Sequence, residues 1–204
     1  MRLLRRLYDW MLHWADTPYG APALFCISFA EASFFPIPPD PLLIALVLGS
    51  QRKAFHLALT CTLGSVSGAI FGYLIGYLAW WSAPGQFSPI AGFFFRHIPG
   101  FSIPLFREIQ GAFEEWNFWV VFTAGFTPIP YKVFTIAGGA FAINFPMFLI
   151  ASFISRGARF FLVSALIWRF GSPITAFIDR YFNLLAILFT LLLIGGFIAL
   201  RYFL

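Results

Sequence analysis

Two nearly identical strings interrupt apolar stretches of this chain: Phe34-Phe35-Pro36-Ile37-Pro38-Pro39-Asp40 and, 92 positions on (128 minus 36), Phe126-Thr127-Pro128-Ile129-Pro130-Tyr131-Lys132. Proline has no backbone N–H, and its ring obstructs the preceding helical turn. Pro36, Pro38 and Pro39 with Pro41, and Pro128 with Pro130, therefore cannot lie inside uninterrupted helices. The first run, residues 21–50, divides into arms of 22–35 and 42–50. As helices these reach about 21 and 14 Å, each short of a ~30 Å hydrocarbon layer. Arg2, Arg5 and Arg6 precede the run, and Arg52 and Lys53 follow it. Basic flanks belong on the cytoplasmic side, so the run reads as a hairpin that enters and leaves by one face rather than as a kinked spanning helix.

Composition sets the solvent. With 60% hydrophobic, 21% aromatic and only 10% charged residues, and a mean hydropathy of +0.84, the chain has too few polar groups to cover a soluble globule. The expectation is a polytopic membrane protein. Its formal charge of +5 suits anionic lipid headgroups, and nothing points to nucleic acid. Residues 1–20 read as an amphipathic segment, expected to be retained, that lies on the membrane or packs on the bundle.

Residues 54–82 form an uninterrupted apolar span. An irregular connector, 83–117, carries Pro84, Pro89, Pro99 and Pro104 and belongs at the outer interface, with 106–116 as a candidate amphipathic helix. The second hairpin, 118–145, repeats the first design. Pro146 then opens a span over 147–168, and a C-terminal span lies within 171–204. The fold class expected is an all-α integral membrane protein. It has two oppositely oriented re-entrant helical hairpins, each followed by a full transmembrane helix, and a C-terminal transmembrane helix. Residues 21–170 form the main membrane domain, and the N-terminus is cytoplasmic by the charge rule.

Charges within such a domain are costly enough to be functional candidates. Glu31 lies in the first arm and Asp40 at the proline turn, as a proton-coupling pair or as ion-pair partners that only fasten the hairpin. Lys132 lies at the second turn, and Arg156 and Arg159 stand three apart on one helix face. These three cations are candidates to receive a lipid phosphate, or alternatively they neutralise Glu31 and Asp40 and nothing else. Adding 92 to Gly64 and Ser67 gives 156 and 159, so the arginines stand where the first half has Gly64 and Ser67. Asp40 and Lys132 occupy matching loops and are expected to meet as an acid–base pair around a midplane cavity.

Gly64, Gly68, Gly72 and Gly76 form a stripe that lets another helix approach closely, within the chain or in a homo-oligomer. Gly138-Gly139 permits a tight turn or a close backbone contact. Cys26 and Cys61 fall in apolar runs, and His13, His56 and His97 are scattered, so neither a disulfide nor a metal site is expected. There is no Gly-x-Ser-x-Gly elbow, Gly-Lys-Ser loop or HExxH pair, hence no enzymatic chemistry and no cofactor is expected.

At Glu31 with Phe35-Pro36-Ile37-Pro38-Pro39-Asp40, at Gly64-x3-Gly68-x3-Gly72-Tyr73-x2-Gly76, and at Phe126-Thr127-Pro128-Ile129-Pro130-Tyr131-Lys132 ahead of Arg156, the chain resembles the DedA family. That family is also called VTT-domain or SNARE-associated Golgi proteins, and the resemblance is nearest to its YqaA-like branch. It implies opposed re-entrant hairpins, the bacterial cytoplasmic (inner) membrane, and movement of phospholipid or polyprenyl phosphate between leaflets with protons as the coupling ion. The family's carboxylates map to Glu31 and Asp40, and its second-half basic residues to Lys132 and Arg156. Many members carry an arginine just before the second loop, where this chain has Gly125 to Thr127. The function expected is a flippase or scramblase. The alternative is a non-transporting scaffold that affects envelope organisation or division through the glycine stripe.

Overall fold

A computed structural model describes Trp14 and residues 17–35, 37–98, 102–127 and 129–171. The expected N-terminal segment, apart from Trp14 and 17–20, and the expected C-terminal span, apart from Gly171, lie outside the described residues, as do Pro36 and Pro128.

Helix α1 (Gly20–Ser33) ends where the amides of Phe34 and Phe35 both donate to the Ala30 carbonyl. After the proline string, α2 (Asp40–Gly49) opens with Pro41 in its first turn, where a missing N–H costs nothing. A Cβ added at Gly20 would meet the Leu46 side chain, so the start of α1 lies beside the end of α2. The chain has turned back on itself. A 3₁₀ turn, Gln51–Lys53, leads into α3 (Ala54–Trp80). The short antiparallel strands β1 (Trp81–Ala83) and β2 (Gln86–Phe87) follow, joined through Gly85 at φ 78°, a left-handed conformation that favours glycine. Helix α4 (Pro89–His97) is capped by Ser88, whose Oγ accepts from the Ala91 amide at 3.2 Å.

The connector is more regular than the sequence suggests. Helix α5 (Ile103–Phe126) runs unbroken across the 117/118 border expected between connector and second hairpin. No proline falls between Pro104 and Pro128, so nothing stops the helix there. Helix α6 (Tyr131–Ala140) follows the second proline string, and α7 (Phe145–Phe170) is capped by Asn144, whose Oδ1 accepts from Met147 N at 3.0 Å. Among the described residues the fold is all-helical apart from the β1–β2 turn, and α3 with its leading 3₁₀ turn and α7 are long and apolar enough to cross a membrane.

The two halves match element by element. Helices α2 and α6 have 10 residues each, and α3 and α7 have 27 and 26. Their starts are offset equally, 131 minus 40 and 145 minus 54 both giving 91. Each long helix packs on the first arm of its own half (α1 on α3, α5 on α7) and on the second arm of the other (α6 on α3, α2 on α7), while α3 and α7 pack on each other. This exchange of arms is the contact pattern of two halves related by a two-fold rotation. The register corrects the expected offset of 92: Arg156 corresponds to Ser65 and Arg159 to Gly68. The first arms end at Ser33 and Phe126, 93 apart (126 minus 33), and the second arms start 91 apart, so the 92-residue offset of the proline strings falls between the two.

The core is layered. One apolar cluster joins Leu24 and Ile27 of α1, Leu42 and Val47 of α2, the start of α3 at Leu57 and Cys61, and the end of α7 at Phe160 and Ile167. A second joins the end of α3 at Ala69 and Tyr73, Val121 and Ala124 of α5, Tyr131 of α6, and the start of α7 at Phe148 and Ala151. Helices α3 and α7 are therefore antiparallel, and between the clusters lies a buried polar layer of Ser28, Thr62, Ser65, Ser152, Ser155, Arg156 and Arg159. The outward faces of α3 and α7 are apolar instead, exposing Phe55, Leu63, Phe71, Ile150, Phe153 and Leu162.

Candidate functional site

Both hairpin turns arrive at the polar layer. Arg156 Nη2 donates to Glu31 Oε2 at 2.5 Å, Nε to Ser65 Oγ at 2.7 Å, and Nη1 to the Gly125 carbonyl at 3.5 Å. Its guanidinium lies 4.9 Å from the Tyr131 ring centroid and 4.7 Å from that of Phe160. Tyr131 is fixed in turn by donating its hydroxyl to Ser152 Oγ at 2.6 Å. Arg156 is 2% exposed, so one fully buried cation joins α1, α3, α5 and α7.

Arg159, one helical turn along, makes a fork-to-fork contact with Asp40. Nε reaches Oδ1 at 3.1 Å and Nη2 reaches Oδ2 at 2.9 Å. Its Nη1 donates to the Thr127 carbonyl at 2.7 Å and the Phe126 carbonyl at 3.4 Å. Those carbonyls, with Gly125's, end α5 and have no helical amide to receive. Each arginine thus takes one carboxylate from the first hairpin and an orphan carbonyl from the second, so the two together clasp both turns to α7. Bidentate, charge-assisted pairing of this kind is stronger than a neutral hydrogen bond and fixes orientation.

The expected Asp40–Lys132 pair is not formed. Asp40 pairs with Arg159, which α7 carries to the first turn, and among the described residues Lys132 has no ion-pair partner. Lys132 follows Tyr131 in the first turn of α6 and is half-buried. The three expected cations therefore divide into two clasped arginines and one separate lysine. Pro38 and Pro130 are exposed at the turns, while Pro39 is buried.

The glycine stripe serves the same assembly. A Cβ at Gly64 would meet Phe25 and Ser28, and one at Gly68 would meet the backbone of Phe29, both on α1. At Gly72 it would meet Thr135 of α6 and the Ala32 carbonyl of α1, and at Gly76 the Ile136 and Ala140 backbone of α6. The stripe is therefore covered within the chain, by the first arm of one hairpin and the second arm of the other. Gly139 faces back, with its Cβ position on Tyr73 and Tyr77 of α3.

Ser65, Thr127, Thr135, Ser152 and Phe160 were not among the candidates from sequence. Ser65 has no signal in the sequence, where the 92-residue offset of the proline strings points to Gly64, and the 91-residue register that pairs it with Arg156 comes from the helix starts. Thr135 Oγ1 donates to the Ala32 carbonyl at 2.8 Å, tying α6 to α1 beside Glu31. Thr135→Val is expected to cost about 1 kcal/mol, the net worth of one such bond. Thermal unfolding in detergent checks this, and an unchanged midpoint would show that the bond adds nothing.

No family model and no solved structure matches the chain. An uncharacterised protein of Haemophilus influenzae is 37% identical over 168 residues, 81% of each chain. An uncharacterised protein of Histophilus somni is 34% identical over 175 residues, 81% of this chain and 82% of its own. An uncharacterised protein of the archaeon Methanocaldococcus jannaschii is 31% identical over 69% of this chain and 79% of its own. With two bacterial and one archaeal relative above 30% identity over two thirds or more of its length, the chain belongs to the family of uncharacterised proteins that these three represent.

Proposed function

We propose that the protein is a membrane-embedded lipid transporter of the DedA type. It would move a phospholipid or polyprenyl phosphate between leaflets of the bacterial inner membrane, with its N-terminus in the cytoplasm. The observation that carries this reading is the clasped charge layer, Glu31–Arg156 and Asp40–Arg159, at mid-height of two long apolar helices and at the turns of both hairpins. Apolar residues outside and serines and arginines inside are the arrangement a bilayer favours, because buried polar groups must find partners within the protein. Hairpins that turn at this depth are re-entrant, and irregular backbone is tolerated there only when protein covers it or it lines a polar path.

In this mechanism the clasps form a gate. A proton on Glu31 or Asp40 removes the charge that its arginine holds, which loosens one hairpin turn from α7 and opens a route past the layer. Transport and proton movement are thereby coupled through the same two carboxylates. The scaffold alternative relied on the glycine stripe as a partner surface. Coverage of all four stripe glycines by α1 and α6 favours the transport reading.

Reconstitution into liposomes containing fluorescent phosphatidylglycerol or fluorescent polyprenyl phosphate tests it. Leaflet exchange several-fold above empty vesicles is the expected result. Exchange equal to empty vesicles for both lipids, with and without a pH gradient, would overturn the proposal.

A further inference from the structure

We infer that Lys132, and not either arginine, makes the charged contact to the lipid's phosphate, an assignment that rests on the transport reading above. The first ground is how the guanidiniums are occupied. Arg156 is enclosed between the Tyr131 and Phe160 rings, with its edge on Glu31, Ser65 and the Gly125 carbonyl. Arg159 holds Asp40 with two bonds and the end of α5 with others. A headgroup could reach either one only by displacing a carboxylate.

The second ground is charge. Two acids and two arginines cancel pairwise, and Lys132, at the second turn, enters neither pair among the described residues. An ammonium at membrane depth without a counter-charge is costly, and an anionic ligand relieves that cost.

Access is the third. Lys132 is half-buried, but its neighbours on the turn open outward, Ile129 at 42% and Val133 at 56% exposure. Apolar side chains of that kind suit acyl chains, which would bring a headgroup alongside the lysine. The backbone at this point is held, since the Lys132 carbonyl lies 3.0 Å from Thr135 Oγ1 and shares its proton with the Ala32 carbonyl. Lysine also suits the task chemically. It meets phosphate as a point charge on a flexible stem, whereas an arginine fork fixes orientation through two bonds. A carrier must release what it holds.

The chain has two lysines, Lys53 and Lys132, and this permits a test on the unaltered protein. Pyridoxal phosphate, an aldehyde bearing a phosphate, is fixed to lysines by borohydride, and the labelled peptides are quantified with and without short-chain phosphatidylglycerol. The lipid is expected to reduce labelling of Lys132 at least fivefold and to leave Lys53, at the exposed turn before α3, unchanged. Equal labelling of Lys132 with and without lipid would overturn the assignment.

Lys132→Gln gives the complementary measurement, with an expected fivefold or greater loss of phosphatidylglycerol binding that Lys132→Arg restores, at unchanged unfolding temperature. Binding equal to wild type in Lys132→Gln would also overturn the assignment. Lipid protection of Lys132 without any leaflet exchange would sink the transport reading and leave the site standing. Exchange without protection would do the reverse.

Discussion

Arg156→Ala is expected to lower the protein's stability by about 3–5 kcal/mol, because it leaves Glu31 buried without its cation. That is a large share of the 5–15 kcal/mol that typically separates folded from unfolded domains. The loss goes beyond one ion pair: Ser65 and the Gly125 carbonyl also lose their donor, and Tyr131 and Phe160 face an empty space. Thermal unfolding of the purified protein in detergent should show a much lowered midpoint, or no folded protein at all. Glu31→Gln should be milder, since an amide oxygen still accepts from the guanidinium, and it should preserve the fold while removing the dependence of lipid exchange on a pH gradient. Truncating both residues should cost less than the sum of the single truncations, which is the signature of coupled partners. A midpoint for Arg156→Ala within a degree or two of wild type would remove the clasp from the account of the fold.

The second large effect is expected at Gly139. Its Cβ position falls on the Tyr73 carbonyl and the Tyr77 amide, and that of Gly76 falls on the backbone of α6. The obstructing atoms are main chain on both sides, so no side chain can swing aside. Overpacking usually costs about 1–3 kcal/mol, and backbone against backbone should reach or exceed the upper end of that range. Gly139→Leu should therefore fail to give a monodisperse species by size-exclusion chromatography in detergent. Gly111 provides the contrast, because nothing lies within 4 Å of its Cβ position in α5. There alanine should stabilise by roughly 1 kcal/mol through helix propensity alone. A well-behaved Gly139→Leu variant would show that α3 and α6 separate readily.

What the sequence reveals follows from how local each cause is. Helix breaks are local, because proline stops a helix whatever surrounds it. The expected spans 54–82 and 147–168 accordingly lie close to Ala54–Trp80 and Phe145–Phe170. Glu31, Asp40, Arg156 and Arg159 stand out because charge is scarce in apolar runs, and the structure brings all four to one layer. Which cation meets which acid is a tertiary matter. Lys132 has the matching loop position, but Arg159 is delivered to Asp40 by the packing of α7 on α2. The carbonyls of Gly125, Phe126 and Thr127 could not be read at all, since a main-chain acceptor leaves no trace in residue type. The 24-residue length of α5 is hidden because 106–116 reads as an interfacial helix and 118 onward as a separate hairpin arm, so nothing in the sequence joins the two.

The contact between Arg156 and Ser65 says something about symmetry itself. Positions 65 and 156 are equivalent under the 91-residue register, and they touch, so they lie near the axis that relates the halves. Two identical chains paired about that axis would place the same side chain there twice. Arginine twice would press like charges together, and serine twice would leave Glu31 buried without a cation. A single chain with unlike halves escapes both outcomes. The covalent link between the repeats is thus what permits a charged centre, with one half supplying the acids and the other the bases.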